Sequence, residues 1–174
     1  YRGARHLSNN KLIRSVDDLK GVKLRVPPLK MYRTTWEYLG ASPVPMGVAE
    51  LFASMQQGVV DGQENPLEVL ESMKYNEVQK YVIETAHVIG AMTWIFSDAR
   101  FRQLPADVQK LLKDAGEKTL LDATDRMAAM EGEMKKRLQG KGMQFIEVDQ
   151  AAFQARLAPM TKDFPELAPW VQKV

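Results

Sequence analysis

The chain has 174 residues, enough to bury a hydrophobic core without disulfides or a structural metal. Hydrophobic residues make up 45% of it and charged residues 26%, which is ordinary for a globular protein. The net charge is only +2 at pH 7, and acids and bases alternate along the chain, which argues against a nucleic-acid partner. The absence of cysteine excludes disulfides, a cysteine nucleophile and a thiolate metal site.

The chain shows neither a membrane-spanning apolar run nor a signal peptide. It begins at Tyr1 without an initiator methionine. We therefore interpret it as a processed chain or as a piece of a longer protein.

The first half of the sequence predicts alternating strands and helices. A capping serine and a terminating glycine bound a short helical turn at 15–21, and prolines follow two short β-rich runs. Such an alternation predicts a parallel sheet with right-handed crossovers. The predicted elements are strand 22–26, a helix near 30–39 with Met31, Thr35, Tyr38 and Leu39 on its apolar face, strand 43–46, helix 48–57 and a strand from Val59 to Asn65.

The second half predicts fewer strands and one long helix. From Pro105 to Gly140 the apolar residues keep helical spacing, which predicts a helix of about 30 residues, unusually long for a compact domain. The other predicted elements are helix 67–74, strands 81–85, 91–96 and 144–148, and a last helix at 151–158.

Two polar residues stand at the ends of predicted strands. Arg25 closes the run before Pro27, and Asn65 closes the run before Pro66. Ligands of open α/β sheets bind outside the carboxyl ends of the strands, where a guanidinium and an amide can receive a small carboxylate. The alternatives are a surface arginine on an edge strand and an asparagine that starts a turn or caps a helix.

The sequence lacks the usual signatures of catalysis. It has no nucleophile elbow, phosphate loop or zinc-protease motif, and its only histidines are His6 and His87. Isolated histidines are more often structural than metal ligands. We therefore expect no catalytic residue, no metal site and no cofactor.

Three segments together resemble the solute-binding proteins of tripartite ATP-independent periplasmic (TRAP) transporters. They are DLKGVKLRV from Asp18 to Val26, LGASPVPM from Leu39 to Met46, and the segment from Glu50 that ends QQGVVDGQENP at Pro66. Weaker similarity continues through Leu104-Pro105 and the long helix. The likeness therefore covers essentially the whole chain.

The resemblance implies a periplasmic binding protein-like α/β fold with two hinged lobes and a long helix that spans both. It implies that Arg25 forms a salt bridge with the ligand carboxylate and that Asn65 hydrogen-bonds the same ligand. Arg5 matches a second ligand-facing arginine, and Glu64 lies near the pocket. The family often has an aromatic residue over the ligand where Val48 stands, so the smaller Val48 leaves extra room.

Family members are longer than this chain, so the resemblance implies that the N-terminal lobe is incomplete here. We expect residues 3–90 and 131–150 to form the C-terminal α/β lobe. We expect residues 91–130 and 151–174 to be segments that complete the other lobe. An incomplete lobe would leave Met92, Trp94 and Phe96 bare, so we expect self-association, as a homodimer or by exchange of the long helix or of strand 91–97.

The function that follows is capture of a small organic acid in the periplasm for a TRAP-type secondary importer, without catalysis. The expected partners are the acid and the membrane permease subunits. Two alternatives stay open at this point. One is an α/β enzyme acting on an organic acid, which would need Glu64 or Asp61 as a general base, and the other is the ligand-sensing module of a signalling receptor.

Overall fold

The computed structural model describes residues 1–167 and residue 169, and in them a six-stranded mixed sheet carries helices on both faces. The strands are β1 (Gly3–Asn9), β2 (Lys23–Val26), β3 (Ser42–Pro45), β4 (Gly62–Pro66), β5 (Tyr81–Gly90) and β6 (Gln144–Ile146). The α-helices are α1 (Lys30–Tyr38), α2 (Leu51–Gln56), α3 (Leu67–Ser72), α4 (Asp98–Phe101), α5 (Ala106–Gly140) and α6 (Gln150–Leu157). Short 3₁₀ helices lie at Val16–Leu19, Tyr75–Glu77, Ala158–Asp163 and Pro165–Leu167.

Strand β1 lies inside the sheet and runs against its neighbours. The order across the sheet is β3-β2-β4-β1-β5-β6, and β1 pairs antiparallel with both β4 and β5. The other pairs in the sheet are parallel. The parallel pairing expected for the strands at 22–26, 43–46 and 59–65 is confirmed by β2, β3 and β4. The strand at 3–9 was not predicted from the sequence, and it makes the sheet mixed. The amino end of β1 consequently meets the carboxyl ends of β2, β4 and β5 at one edge.

Hydrophobic cores form on the two faces of the sheet. One core packs α1, α6 and the Val16–Leu19 turn on the strands, and a second packs α3 and the end of α5 on β5. A smaller third cluster surrounds α2. Trp36 is fully buried in the first core while Met31 is exposed, so the expected apolar face of α1 was partly wrong. The fully or mostly buried members of the first core are Leu7, Ile13, Leu19, Val22, Leu24, Val26, Trp36, Leu39, Ala41, Ile83 and Phe153.

Two expected strand positions differ in the structure. Val59 and Val60 are not in β4, because their backbone N–H groups donate to the Ser54 carbonyl at 2.9 and 3.4 Å and finish the turn after α2. The segment 91–97 leaves the sheet after Gly90 and forms no strand. Instead it crosses α5, where a side chain on Gly116 would come within 3.1 Å of the Trp94 ring.

Helix α5 confirms the long helix expected from the sequence. It has 35 residues, and only Gly116, Met134 and Leu138 are buried. Its buried end packs on β5 and α3, whereas Leu111 and Leu121 are exposed. No helix of the described residues is both long and apolar enough to cross a bilayer.

We predict that Gly62→Ala destabilises the fold by roughly 3 kcal/mol or more, since overpacking against an immobile group is costly. A Cβ at Gly62 would lie 2.1 Å from the Ser8 carbonyl oxygen, so β1 and β4 would have to separate. The measurement is the free energy of unfolding in urea.

Gly132→Ala is the matched control, because nothing lies within 4 Å of a Cβ at that helical position. Alanine there should stabilise the chain by about 0.5–1 kcal/mol through helix propensity. Equal unfolding free energies for the two variants would contradict the close approach of β1 to β4.

Candidate functional site

Arg25 is a buried arginine at the carboxyl end of β2. Its exposed fraction is 5%, and its Nε donates to the Met46 carbonyl at 2.9 Å, which ties it to the loop after β3. Among the residues that the structure describes, no carboxylate lies within 4 Å of its guanidinium. Burial lowers the pKa of Arg25, and the charge of Glu64 only partly opposes this effect. Arginine nevertheless stays protonated in proteins, so Arg25 is a buried cation without an ion-pair partner in the described chain.

Arg5 and Glu64 form a bidentate ion pair between β1 and β4. Arg5 Nε lies 2.5 Å from Glu64 Oε2, and Arg5 Nη2 lies 2.7 Å from Oε1. Arg5 Nη2 also donates to the Glu64 carbonyl at 2.8 Å, and its guanidinium stacks 5.3 Å from the centre of the Tyr32 ring. Such a two-point pair fixes both side chains.

His87 on β5 is the third member of this group. Its Nε2 lies 3.1 Å from Glu64 Oε2, its Nδ1 lies 2.8 Å from Thr85 Oγ1, and its ring packs edge-on against Trp36. Burial alone raises the pKa of Glu64, but the hydrogen bonds from His87 and Arg5 outweigh it and lower the pKa overall. Glu64 is therefore an ionised carboxylate at neutral pH, fully enclosed by its partners.

Asn65 contacts this group at the end of β4. Its Oδ1 accepts from Arg5 Nη2 at 3.0 Å, and its Nδ2 donates to Gln63 Oε1 at 2.5 Å. The residue at the N-cap of α3 is Pro66, with no side-chain capping bond. The interpretation of Asn65 as a helix cap is therefore wrong, because its amide is turned to β1 and β4 instead.

Val48 lies apart from these buried groups, in the loop between β3 and α2, with an exposed fraction of 51%. It follows Met46, whose carbonyl holds Arg25, by two residues. A hollow of about 350 Å³ opens at the same edge of the sheet, and Arg25 and Asn65 are not among its lining residues. It is lined by Pro28, Leu29, Lys30, Arg33 and Pro45.

The structure thus brings Arg5, Glu64 and Asn65 into direct contact and places Arg25 on the neighbouring strand. Sequence reasoning missed His87 and Gln63. Gln63 could have been found, because it precedes Asn65 by two residues and alternate strand residues share a face. In residues 1–167, no three histidine, aspartate or glutamate side chains group as metal ligands.

Known proteins resemble this chain in both sequence and fold. A solute-binding protein of Roseobacter denitrificans is 41% identical over 156 residues, 88% of this chain and 47% of that protein. Its crystal structure with bound L-galactonate matches with a TM-score of 0.78, over 89% of this chain and 52% of that one. A sialic acid-binding periplasmic protein of Vibrio cholerae is 32% identical, over 94% of this chain and 51% of that protein.

A TRAP periplasmic solute-binding protein of Ochrobacterium anthropi, crystallised with L-fuconate, has a TM-score of 0.88 and is 34% identical. The match covers 97% of this chain and 56% of that one, so the chain spans about half the length of these relatives. The family model described as bacterial extracellular solute-binding protein, family 7, matches residues 1–167. The chain belongs to this family.

We predict that Glu64→Gln lowers the free energy of unfolding by about 3 kcal/mol at pH 7, because it leaves the Arg5 charge buried without a counter-ion. The pKa of Glu64 is lowered in the folded chain, so its stabilisation is complete above the pKa of an unfolded glutamate. It is lost as the pH falls through the lower folded value. The difference from wild type should therefore shrink between pH 7 and about pH 3.

Glu133→Gln is the control for charge removal. Glu133 is exposed on α5, and its ion pair with Arg137 is long at 3.8 Å and therefore weak. It should leave stability within about 0.5 kcal/mol of wild type at both pH values. A Glu64→Gln difference that stays constant down to about pH 3 would contradict an ionised, ion-paired Glu64.

Proposed function

We propose that this chain is part of a periplasmic solute-binding protein that captures a small organic acid for a TRAP-type secondary importer. The observation that carries the proposal is Arg25, a buried cation at the ligand-binding edge of the sheet with no counter-ion in the described residues. Burying an unpaired charge is costly, so this arginine favours a ligand that brings a negative charge.

The ligand class is a carboxylate, most simply a sugar acid. The relatives from Roseobacter and Ochrobacterium were crystallised with L-galactonate and L-fuconate, and the Vibrio relative is described as binding sialic acid. The planar guanidinium of Arg25 has two terminal nitrogens that can donate to both oxygens of a carboxylate. In this proposal Arg25 holds the carboxylate and Asn65 donates a hydrogen bond to it.

Arg5, Glu64 and Val48 have supporting parts in this site. Arg5 lies beside Asn65 and donates to its oxygen, while Glu64 fixes the Arg5 guanidinium and balances its charge. Val48 belongs to the exposed loop that follows the backbone contact of Arg25, so we place it at the mouth of the site. A small side chain there leaves room for a larger ligand than an aromatic residue would.

The whole protein would have two hinged lobes, with α5 spanning both. Residues 3–90 and 131–150 form one lobe in this proposal, and the sheet and its cores support that assignment. Residues 91–130 belong with the other lobe, most of which lies outside this chain. Their exposed apolar side chains support this, since Trp94 is 49% and Ile95 87% exposed.

Residues 151–174 were expected to complete the other lobe. The part of this segment that the structure describes packs on the sheet instead. Phe153 is buried in the first core, and Lys30 Nζ donates to the Asp163 carbonyl at 3.1 Å. These contacts favour placing 151–163 on the sheet lobe instead, while residues 168 and 170–174 lie outside the described residues.

Transport in this proposal needs no chemistry from the chain. Lobe closure around the acid presents a new surface to the membrane permease subunits. The enzyme alternative needs Glu64 or Asp61 as a general base, and it is disfavoured because both carboxylates are already engaged by protein groups. Glu64 is enclosed by Arg5 and His87, and Asp61 bonds Lys11 Nζ and the Lys23 backbone N–H at 2.9 and 2.8 Å.

We predict that Arg25→Ala in the full-length protein weakens binding of its sugar acid at least about a hundredfold. Removing one partner of a buried ion pair costs about 3–5 kcal/mol, and 1.4 kcal/mol corresponds to tenfold. Arg25→Lys should recover only part of the loss, because an ammonium cannot bind both carboxylate oxygens in the same way. Isothermal titration calorimetry with a panel including L-galactonate, L-fuconate and sialic acid measures the affinities.

Arg126→Ala is the control for loss of a positive charge, because Arg126 pairs with Asp122 on the exposed side of α5. It should bind like wild type. Near-wild-type affinity in a folded Arg25→Ala variant would remove Arg25 from the site, and failure of the wild-type protein to bind any acid of the panel would count against the ligand class.

We also predict that the 174-residue chain, produced alone, self-associates through residues 91–97 and the exposed apolar residues of α5. A contiguous apolar surface of this kind is rarely free on a monomer. Exchange of a strand at 91–97 is not the route suggested by the structure, because that segment is not a strand. Light scattering after size-exclusion chromatography should show a dimer or larger species.

Ile95→Lys should shift this chain toward the monomer, because Ile95 is the most exposed of these side chains. Leu29→Lys is the control, since Leu29 is also exposed but lies at the start of α1. A monomer at all concentrations for the unmodified chain would contradict the prediction.

A further inference from the structure

Four buried polar side chains form a chain of hydrogen bonds from Arg5 toward the opposite end of the strands. They are Asn65 and Gln63 on β4, Ser8 on β1 and Gln79 before β5, and none is more than 8% exposed. Arg5 Nη2 donates to Asn65 Oδ1 at 3.0 Å, and Asn65 Nδ2 donates to Gln63 Oε1 at 2.5 Å. We call Asn65, Gln63, Ser8 and Gln79 the polar relay.

The remaining bonds of the polar relay run in the same direction. Gln63 Nε2 donates to Ser8 Oγ at 2.8 Å, and Ser8 Oγ donates to Gln79 Oε1 at 3.2 Å. Gln79 Nε2 then donates to the backbone carbonyls of Asp61 and Val78 at 3.3 and 3.1 Å. Each member therefore accepts from one neighbour and donates to the next.

The groups at the two ends can each play only one role. A backbone carbonyl only accepts, so Gln79 must turn Nε2 to Asp61 and Val78 and its oxygen to Ser8. Ser8 then donates to Gln79 and accepts from Gln63, which leaves Gln63 Oε1 for Asn65. A guanidinium only donates, so Arg5 independently requires the oxygen of Asn65.

We propose that the polar relay positions Asn65 for ligand recognition, by turning its amide oxygen to Arg5 and leaving its second N–H for a ligand. The proposal rests on the proposed function of this site and extends it to Gln63, Ser8 and Gln79, which touch no ligand in it. The oxygen of Asn65 is occupied by Arg5, and one of its two N–H bonds is used by Gln63.

The polar relay therefore sets specificity. Arg25 and Asn65 both present donors at the sheet edge, so the ligand group between them has to be an acceptor, as a carboxylate is. An asparagine that could rotate freely could instead turn its oxygen to the ligand and accept a hydrogen bond from a hydroxyl. An alcohol in the same place can also accept, but with Asn65 fixed at both ends its own O–H finds no acceptor there, whereas a carboxylate has no proton to place. The fixed Asn65 therefore disfavours the neutral alditol that replaces the carboxylate by an alcohol.

A double-mutant cycle in the full-length protein separates positioning from packing. The variants are Gln63→Met, Asn65→Ala and the two combined, and the probes are L-galactonate and its alditol, measured by calorimetry. Gln63→Met should weaken L-galactonate binding about three- to tenfold, the range expected for one neutral hydrogen bond. In the Asn65→Ala background the same change should weaken it less than about twofold, because Gln63 acts through Asn65.

Gln109→Met is the matched control, since Gln109 Nε2 donates to the Leu104 carbonyl at 2.8 Å on α5, away from the polar relay. It should leave binding unchanged. An equal loss from Gln63→Met in both backgrounds would overturn the positioning role, and so would an unchanged ratio of galactonate to alditol affinity.

A ligand-free measurement distinguishes failure of this inference from failure of the proposed function. In protein labelled with ¹⁵N-asparagine, the side-chain signals of Asn65 are identified by their loss in Asn65→Ala. We expect these amide protons to exchange slowly with solvent and at least about tenfold faster in Gln63→Met or Ser8→Ala. Unchanged exchange in folded variants would overturn the relay even if the wild type binds acids, whereas slow exchange without acid binding would contradict only the proposed function.

Discussion

The constraint on which the site depends is one buried carboxylate, Glu64, beside a buried arginine, Arg25, and a partly buried one, Arg5. Glu64 gives both of its oxygens to Arg5, and His87 shares one of them. Arg25 is close enough to sense the charge of Glu64 but makes no ion pair with it. Since an unpaired buried charge is costly, the remaining positive charge creates a preference for an anion at this edge. The proposed affinity for an acid thus rests on a charge that the described chain does not balance.

The reversed strand makes this arrangement possible. Arg5 lies near the start of β1, and because β1 runs against β4, its amino end reaches the edge where β2 and β4 end. A parallel β1 in the same place would move Arg5 two residues toward the opposite end of the sheet, roughly 7 Å at about 3.4 Å per residue. Gly62 supports the pairing by letting β4 approach the backbone of β1 at Ser8. Fold and site are therefore specified by the same two strands.

The sequence predicted the strand-end positions of Arg25 and Asn65, because short β-rich runs followed by proline are local patterns. It also predicted α5 from its periodicity. It did not predict β1, whose residues Arg5, His6, Ser8 and Asn9 are polar and find partners only in the folded chain. The prediction of a strand at 91–96 was wrong. Alternating apolar residues indicate a surface that another element has to bury, but they do not by themselves indicate a partner strand for backbone hydrogen bonds. The pairing of Arg5 with Glu64 joins residues 59 apart, which no local pattern reveals.

A crystal structure of the full-length protein with a bound sugar acid tests the central claim most directly. We expect the ligand carboxylate to accept hydrogen bonds from the terminal nitrogens of Arg25 and from Nδ2 of Asn65, while Arg5 stays on Glu64. A ligand carboxylate that displaces Glu64 from Arg5, or a protein carboxylate that neutralises Arg25 in place of the ligand, would contradict it.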